Sequence, residues 1–210
     1  MNRTFHISGI LLFLIVMTGC SAVRTVYSEP HIDTENIGIS KDGMFVLPGI
    51  NLQVESHNSD ASYAVLWYVV PLLPLPGRTS DHVTPGFWVT LMLDPEGEVF
   101  SLDLRLITLE LNGEKYIPSS VRGPVGSYGG WRRRCDDPST SSPRSVETFF
   151  VKPLPVTEWS CFLVKFDSPA PSPEQSFIIN VNGIFRDGKP FIVPPLHFQK
   201  NIGWRMYREL

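Results

Sequence analysis

The sequence of 210 residues lacks the short motifs by which an enzyme or a metal-binding protein is usually identified. It contains no CxxC pair and no two histidines one helical turn apart, the patterns typical of a metal site. Asp81-His82 is a lone adjacent pair and predicts a polar loop. Val125-Gly126-Ser127-Tyr128-Gly129 lacks the first glycine of a nucleophile elbow. We therefore predict a protein without enzymatic activity, metal ion or cofactor.

Sustained helical periodicity and concentrated positive charge are also scarce. Nineteen prolines and sixteen glycines disfavour long helices, and the formal net charge of −3 offers no basic face for nucleic acid. Frequent valine and aromatic residues favour short strands joined by turns. The sequence predicts an all-β antiparallel β-sandwich of about eight to ten strands with little helix. An immunoglobulin-like sandwich is the first choice, and a jelly roll is the alternative.

The clearest local signal is Asn112-Gly113, which lies between two strand-like segments. Both positions of a type I′ turn need positive φ, and this dipeptide tolerates it. Counting outward from the turn places Glu110 opposite Lys115 and Leu109 opposite Tyr116. One pair is complementary in charge and the other is apolar, as a correct hairpin register requires.

A second hairpin is predicted at Asp187-Gly188, with Phe191 and Val193 on its return strand. Pro190 has no N–H to donate and restricts that return strand to a sheet edge. Alternating or continuous apolar patterns predict further strands at residues 50–55, 62–70, 87–93, 146–151 and 159–166.

The first nineteen residues have the three zones of a secretory signal. Arg3 provides a positive charge, residues 7–17 are almost wholly apolar, and the small residues Thr18 and Gly19 follow. The alternative is a membrane-spanning helix, which needs roughly 20 apolar residues. Because the apolar run is about half that length, we favour the secretory signal.

The segment Met17-Thr18-Gly19-Cys20 resembles the lipobox of bacterial lipoproteins, with Met17 in place of the usual leucine. This resemblance covers only the signal region, about a tenth of the chain. It implies cleavage before Cys20 and attachment of diacylglyceryl and palmitate-type acyl chains to that residue. Ser21 is compatible with sorting to the outer membrane, facing the periplasm; the inner membrane and the cell surface are the alternatives.

These observations divide the chain into a lipoprotein signal peptide (1–19), a lipidated amino terminus and tether (20–40) and a single β-sandwich domain (41–210). Residues 21–40 are polar and show no sustained periodicity. They are interpreted as a flexible tether or as an ordered arm between the lipid and the domain.

Three cysteines are an odd number, which needs an explanation in an exported protein. If Cys20 carries lipid, Cys135 and Cys161 remain as a pair in an oxidising compartment. A disulfide between them would close a loop of about 27 residues and contribute about 3.5 kcal/mol on the chain-entropy model. The alternative is two thiols, buried or exposed.

Two segments are candidates for a binding role. The first is a proline-rich apolar segment with almost no polar side chain, made of Pro71, Leu72, Leu73, Pro74, Leu75 and Pro76. As a stiff loop it would meet a partner protein, a lipid surface or a groove that binds polyproline II helices. The alternative is a loop folded back to close one end of the sandwich.

The second candidate lies in the long segment 122–144, where Trp131 is followed by Arg132, Arg133 and Arg134. This group could bind an anionic sugar, a lipid headgroup or a protein carboxylate through cation–π and charge-assisted contacts. The alternative is a solvated insertion whose arginines pair with the two aspartates after Cys135.

The sequence therefore predicts a lipid-anchored cell-envelope protein that acts as a non-enzymatic binding or structural partner in the periplasm. Its expected partners are the membrane, through the amino-terminal lipid, and an envelope protein or glycan. One alternative is a glycan- or peptidoglycan-binding module that uses Trp131, Tyr128 and Trp88 as stacking platforms. A second is an envelope hydrolase whose acids or bases are distant in sequence.

Overall fold

The computed structural model describes residues 20–34, 37–67, 70–73, 78–80, 86–128, 131–132, 144–145 and 152–208. Nearly all the regular structure in these ranges is β-strand, with a short 3-10 helix at Leu104–Leu106. Nine of the described strands have five or more residues, and eleven have two to four. The predicted all-β class is therefore confirmed. The predicted count of eight to ten strands agrees with the number of longer strands alone. Strands of two to four residues are too short to show an alternating pattern in the sequence.

The first large sheet has the strand order β11-β10-β17-β20-β1-β5-β6, with β7 also pairing with β5. Its strands are β1 (Cys20–His31), β5 (Asp60–Trp67), β6 (Val70–Leu73), β7 (Arg78–Ser80), β10 (Ile107–Leu111), β11 (Glu114–Tyr116), β17 (Phe177–Val181) and β20 (Leu196–Arg208).

The second large sheet has the order β13-β12-β16-β8-β4-β3-β2, with β14 pairing with β12. Its strands are β2 (Gly38–Ile39), β3 (Phe45–Leu47), β4 (Ile50–Ser56), β8 (Phe87–Pro95), β12 (Pro118–Tyr128), β13 (Trp131–Arg132), β14 (Arg144–Ser145) and β16 (Ser160–Phe166). A third, small sheet contains β15 (Leu154–Val156), β9 (Phe100–Leu102), β18 (Ile184–Arg186) and β19 (Lys189–Pro190), in that order.

The two large sheets pack face to face around one aromatic-rich core. Phe177 of the first sheet stacks on Phe198 at 4.6 Å between ring centroids. Phe177 also meets Phe87 of the second sheet edge-on at 5.4 Å, and Phe87 lies 6.4 Å from Phe166. All four side chains are at most 3% exposed. This contact between β17 and β8 joins the layers of the sandwich.

Both predicted turns form. Asn112 and Gly113 have φ values of 55° and 79°, and the observed register pairs Glu110 with Lys115 and Leu109 with Tyr116. In the second turn, Asp187 and Gly188 have φ values of 51° and 74°. The two hairpin predictions are confirmed at their turns because the required backbone conformations are local properties of these residue pairs.

The return strand of the second hairpin is shorter than predicted. β19 consists of Lys189–Pro190 alone, so Phe191 and Val193 lie beyond it and are not strand residues. The Phe191 N–H still donates to the Ile184 carbonyl at 2.8 Å, and the pairing does not extend to Pro194 and Pro195, which have no N–H to donate. β19 is an edge strand, as Pro190 requires.

The narrower immunoglobulin-like assignment is not confirmed. Each large sheet has eight strands and a third sheet is present, whereas immunoglobulin domains have seven to nine strands in two sheets. The predicted strand at residues 146–151 lies outside the described residues. The interval Cys20–His31, for which the sequence left open a tether or an ordered arm, is the strand β1.

Candidate functional site

Cys20, the predicted lipidation residue, lies at the end of a long antiparallel ribbon in the first sheet. The strand register pairs Cys20 with Arg208 of β20 on one side and with Leu66 of β5 on the other. β17 pairs with β20 only between Leu196 and Phe198. Beyond that pairing, β1 and β20 continue as an antiparallel ribbon, the β1–β20 ribbon. The ten residue steps from Phe198 to Arg208, at about 3.3 Å each, give it a length of about 33 Å. Cys20 is therefore remote from the aromatic core.

Polar contacts hold the ribbon where it joins the sandwich. The buried Asn58 donates from Nδ2 to Ser28 Oγ at 2.8 Å and to the Pro171 carbonyl at 3.2 Å. Its Oδ1 accepts a hydrogen bond from Ser56 Oγ at 2.9 Å. A buried amide satisfied in this way links β1 to β4 and to the loop before β17, since an unpaired amide there would cost about 1–3 kcal/mol.

Further along the ribbon, Tyr27 lies over Gly203 of the neighbouring strand. A Cβ atom at Gly203 would lie 3.3 Å from Tyr27 Cε1, which is a tight contact. Asn201 Nδ2 donates a hydrogen bond to Glu29, and Lys200 Nζ lies 2.7 Å from Glu174 Oε2. The first two contacts join β1 and β20 by side chains in addition to the backbone ladder, as in other antiparallel pairs. The ion pair of Lys200 instead joins β20 to the loop before β17.

The predicted apolar segment begins at the same end of the sheet as Cys20. Pro71, Leu72 and Leu73 belong to β6, an edge strand that pairs with β5 at Leu73↔Val65 and Val70↔Trp67. An edge position suits a strand that contains proline. The rest of the segment, residues 74–76, lies outside the described residues, so whether the complete segment is exposed or folded back stays a prediction.

The second predicted segment lies in the other large sheet. Trp131 and Arg132 form β13 and pair with Tyr128 and Ser127 of β12 at a sheet edge. Residues 133 and 134 lie outside the described residues, as does Cys135. The two segments singled out in the sequence thus belong to different sheets. The structure brings Trp131 and Tyr128 into direct register, and it brings the proline-rich segment near Cys20.

Trp88 is separated from the other two predicted stacking residues. Along β8 it lies five residues from Leu93. Leu93 pairs with Ser160 of β16, and Ser160 pairs with Gly126 of β12, so these three residues lie side by side across the sheet. Tyr128 lies two residues further along β12. The total of seven residues corresponds to about 23 Å along the sheet. Trp88 therefore cannot form one compact platform with Tyr128 and Trp131.

Trp88 instead belongs to an aromatic and cationic patch that the sequence does not reveal. The Arg122 guanidinium carbon lies 5.4 Å from the Trp88 ring centroid, a cation–π distance. Trp88 packs against a second apolar cluster on the outer face of its sheet, formed by Val125, Trp159, Cys161 and Leu163. Arg122 and Trp88 are on strands separated by β16, so only the strand order brings them together.

The shifted pKa values among the described residues reflect ion pairs and hydrogen bonds. The hydrogen bond from Arg105 lowers the pKa of the Asp103 carboxyl and raises that of Arg105, and the hydrogen bond from Lys165 lowers the pKa of Asp167. A hydrogen bond to Glu114 raises the pKa of Tyr116. Each shift moves away from neutrality, whereas a general acid or base works best with a pKa near the ambient pH.

Three or more His, Cys, Asp or Glu side chains do not cluster as a metal site within the described part of the chain. In the same ranges, no helix is long and apolar enough to cross a membrane.

Comparison with known proteins identifies no relative of this chain. No family model matches the chain, and no curated protein or solved structure does so either. The function is therefore inferred from the residues themselves, above all from Cys20 and the strands that surround it.

Proposed function

We propose that the protein is a lipid-anchored component of the bacterial cell envelope, attached through Cys20 to the outer membrane and facing the periplasm. The carrying observation is the position of Cys20 at the far end of the β1–β20 ribbon, paired with Arg208 and about 33 Å from the β17 pairing. A lipid on this residue would hold the sandwich away from the bilayer. The lipobox-like segment Met17-Thr18-Gly19-Cys20 supports the same assignment.

The domain itself is proposed to act as a non-enzymatic binding or structural partner. Its support is the sandwich core combined with an edge strand, β13, that consists of Trp131 and Arg132. Aromatic and arginine residues are the types that contribute most to binding energy at protein interfaces. Because a lipid on Cys20 would hold the domain near the membrane, the bound partner would lie within the length of the β1–β20 ribbon from the membrane surface, about 33 Å.

We further propose that Cys135 and Cys161 form a disulfide. Cys161 is 1% exposed and pairs in register with Val125. β13 runs antiparallel to β12 from the level of Tyr128 back towards Val125. Cys135 follows Arg132 by three residues, a chain length that reaches at most about 10 Å.

Changing Cys20 to serine should abolish acylation and remove the acyl-chain contribution to membrane attachment. Two acyl chains or more provide a stable anchor, because each buried methylene contributes about 0.8 kcal/mol. Radiolabelled palmitate incorporation and cell fractionation measure this. Cys135→Ser is the matched control and should retain the label.

Mass spectrometry of the mature wild-type protein determines the chemical state of all three cysteines in one experiment. The expected result is a lipid thioether on Cys20 and a bridged peptide that contains Cys135 and Cys161. An intact precursor with unmodified Cys20 would refute the anchor, and separate unbridged peptides would refute the disulfide.

Partner binding is tested by cross-linking in membranes followed by purification of the complex. Replacing Trp131, Arg132, Arg133 and Arg134 with alanine should remove the specific partner, with a loss of binding of at least about 2 kcal/mol if they include hot-spot residues. Lys115→Ala with Lys189→Ala, at exposed positions in other sheets, is the control. Recovery of the same proteins with all three forms would contradict this role of the segment.

Glycan binding is the second candidate function, and the direct pairing of Tyr128 with Trp131 favours it. Neighbouring aromatic residues on one sheet face can provide a stacking surface. Retention of the wild-type protein on purified peptidoglycan, lost in the same alanine variant, would support this function over protein binding. Trp88 would not contribute, given its separation along the sheet.

A further inference from the structure

The Cys20 end of the first sheet combines residues from five strands. We define it as residues 20–25 of β1, 61–67 of β5, 70–73 of β6, 78–79 of β7 and 203–208 of β20, which the register brings together. These residues include Arg24, Arg78, Arg205 and Arg208 and contain no aspartate or glutamate. Glu209 follows outside the described residues. The Cys20 end thus carries a formal charge of +4, whereas the whole chain carries −3, so the remainder carries −7.

The arginines lie within a short distance of the Cys20 level. Arg208 pairs directly with Cys20, and Arg205 pairs with Val23. Arg24 is four residues along β1, and Arg78 lies at the same level because both pair with Ser62. Four residues of strand span about 13 Å. That distance is comparable to a headgroup layer plus one Debye length of about 8–10 Å. All four charges would therefore act on a surface that Cys20 touches.

The other residues of the Cys20 end are apolar or aromatic to an unusual degree. Aromatic residues are present at positions 63, 67, 204 and 207, and β6 adds the apolar sequence Val70–Leu73. Tryptophan and tyrosine concentrate at membrane–water interfaces, and arginine binds anionic headgroups there. A soluble protein partner would need a matching acidic groove, whereas a lipid surface requires only that charge and apolar residues share one end.

We propose that the Cys20 end is a docking surface for an anionic lipid bilayer, independent of the acyl chains. This inference deepens the proposed function, since it adds a second membrane contact beside the lipid on Cys20. One acyl signal combined with a cationic patch is a known basis for stable anchoring. The contact would orient the ribbon towards the bilayer and keep the acidic remainder of the chain away from anionic lipid.

The test uses vesicles and a chain from residue 20 onward with Cys20→Ser, which has no lipid and retains every described strand. It should sediment with vesicles rich in phosphatidylglycerol and bind phosphatidylcholine vesicles much more weakly. Arg205→Gln with Arg208→Gln should lower the partition coefficient about 30-fold, at about fivefold per arginine. Added salt should weaken binding of the parent chain more than that of this variant.

Lys115→Gln with Lys189→Gln is the matched control, because it removes the same charge from exposed positions elsewhere in the fold. It should bind as the parent chain does, and all three proteins should have the same melting temperature. Equal losses in both variants, or no preference of the parent chain for anionic vesicles, would overturn the proposal. The palmitate experiment reads lipidation separately, so either result can fail without the other.

Discussion

Replacing Phe177 with alanine should lower the free energy of unfolding by about 3–5 kcal/mol. Its side chain is 3% exposed, stacks on Phe198 and meets Phe87 edge-on, so it joins both large sheets. Removing the ring loses the transfer free energy of the buried atoms and leaves a cavity between layers. Aromatic pairs of this geometry add about 0.5–1.5 kcal/mol beyond the buried area.

Denaturant unfolding of the purified domain measures this loss. Ile192→Ala is the control, because its side chain is 85% exposed and its removal should change stability by no more than about 0.5 kcal/mol. A loss below about 1 kcal/mol for Phe177→Ala would contradict a single core shared by the two sheets.

Replacing Gly183 with alanine should destabilise the protein by at least about 3 kcal/mol. A Cβ atom at Gly183 would lie 2.0 Å from the backbone carbonyl oxygen of Asp103. Backbone atoms cannot rotate away, so the two chain segments must separate. That movement would also break the hydrogen bond from the Asp103 amide to the Gly183 carbonyl, which measures 2.7 Å.

The same substitution should disturb the connection between two sheets. Gly183 lies between β17 of the first sheet and β18 of the third sheet. Gly38→Ala is the matched control, because a Cβ atom there would have no neighbouring atom within 4 Å and the φ of Gly38 is not positive. Thermal or denaturant unfolding of the two variants checks the difference. Equal stabilities would show that the segments at Asp103 and Gly183 are not in close contact.

The two Asn-Gly dipeptides show which turns can be predicted from local sequence and which cannot. Asn112-Gly113 has positive φ at both residues and turns a hairpin, as its sequence predicts. Asn182-Gly183 has positive φ at neither residue, and the strands on its two sides enter different sheets. Glycine is needed there for the close approach of Asp103. Because that neighbour is remote in sequence, the dipeptide alone cannot distinguish the two situations.

The candidate site, like the turns, was predictable only in part: the sequence indicates the individual segments but not their position relative to one another. The lipobox-like segment predicts lipidation of Cys20 from four adjacent residues, and the unusual composition of the proline-rich segment is visible without a structure. Their common position at one end of the first sheet depends on pairing of β1 with β5 and of β5 with β6. The cation–π contact of Arg122 with Trp88 also depends on strand order, so no sequence pattern predicts it.

The sequence by itself determined the all-β class, the turns at Asn112-Gly113 and Asp187-Gly188, and the alternating burial of Ile50–Ser56. These features depend on φ preferences and on the two-residue period of a strand, which act within a few residues. Only the tertiary structure decided that Cys20, Leu66 and Arg208 lie side by side. Backbone hydrogen bonds between strands are the same for every residue type except proline, so side chains specify the partner strand only through the shared core.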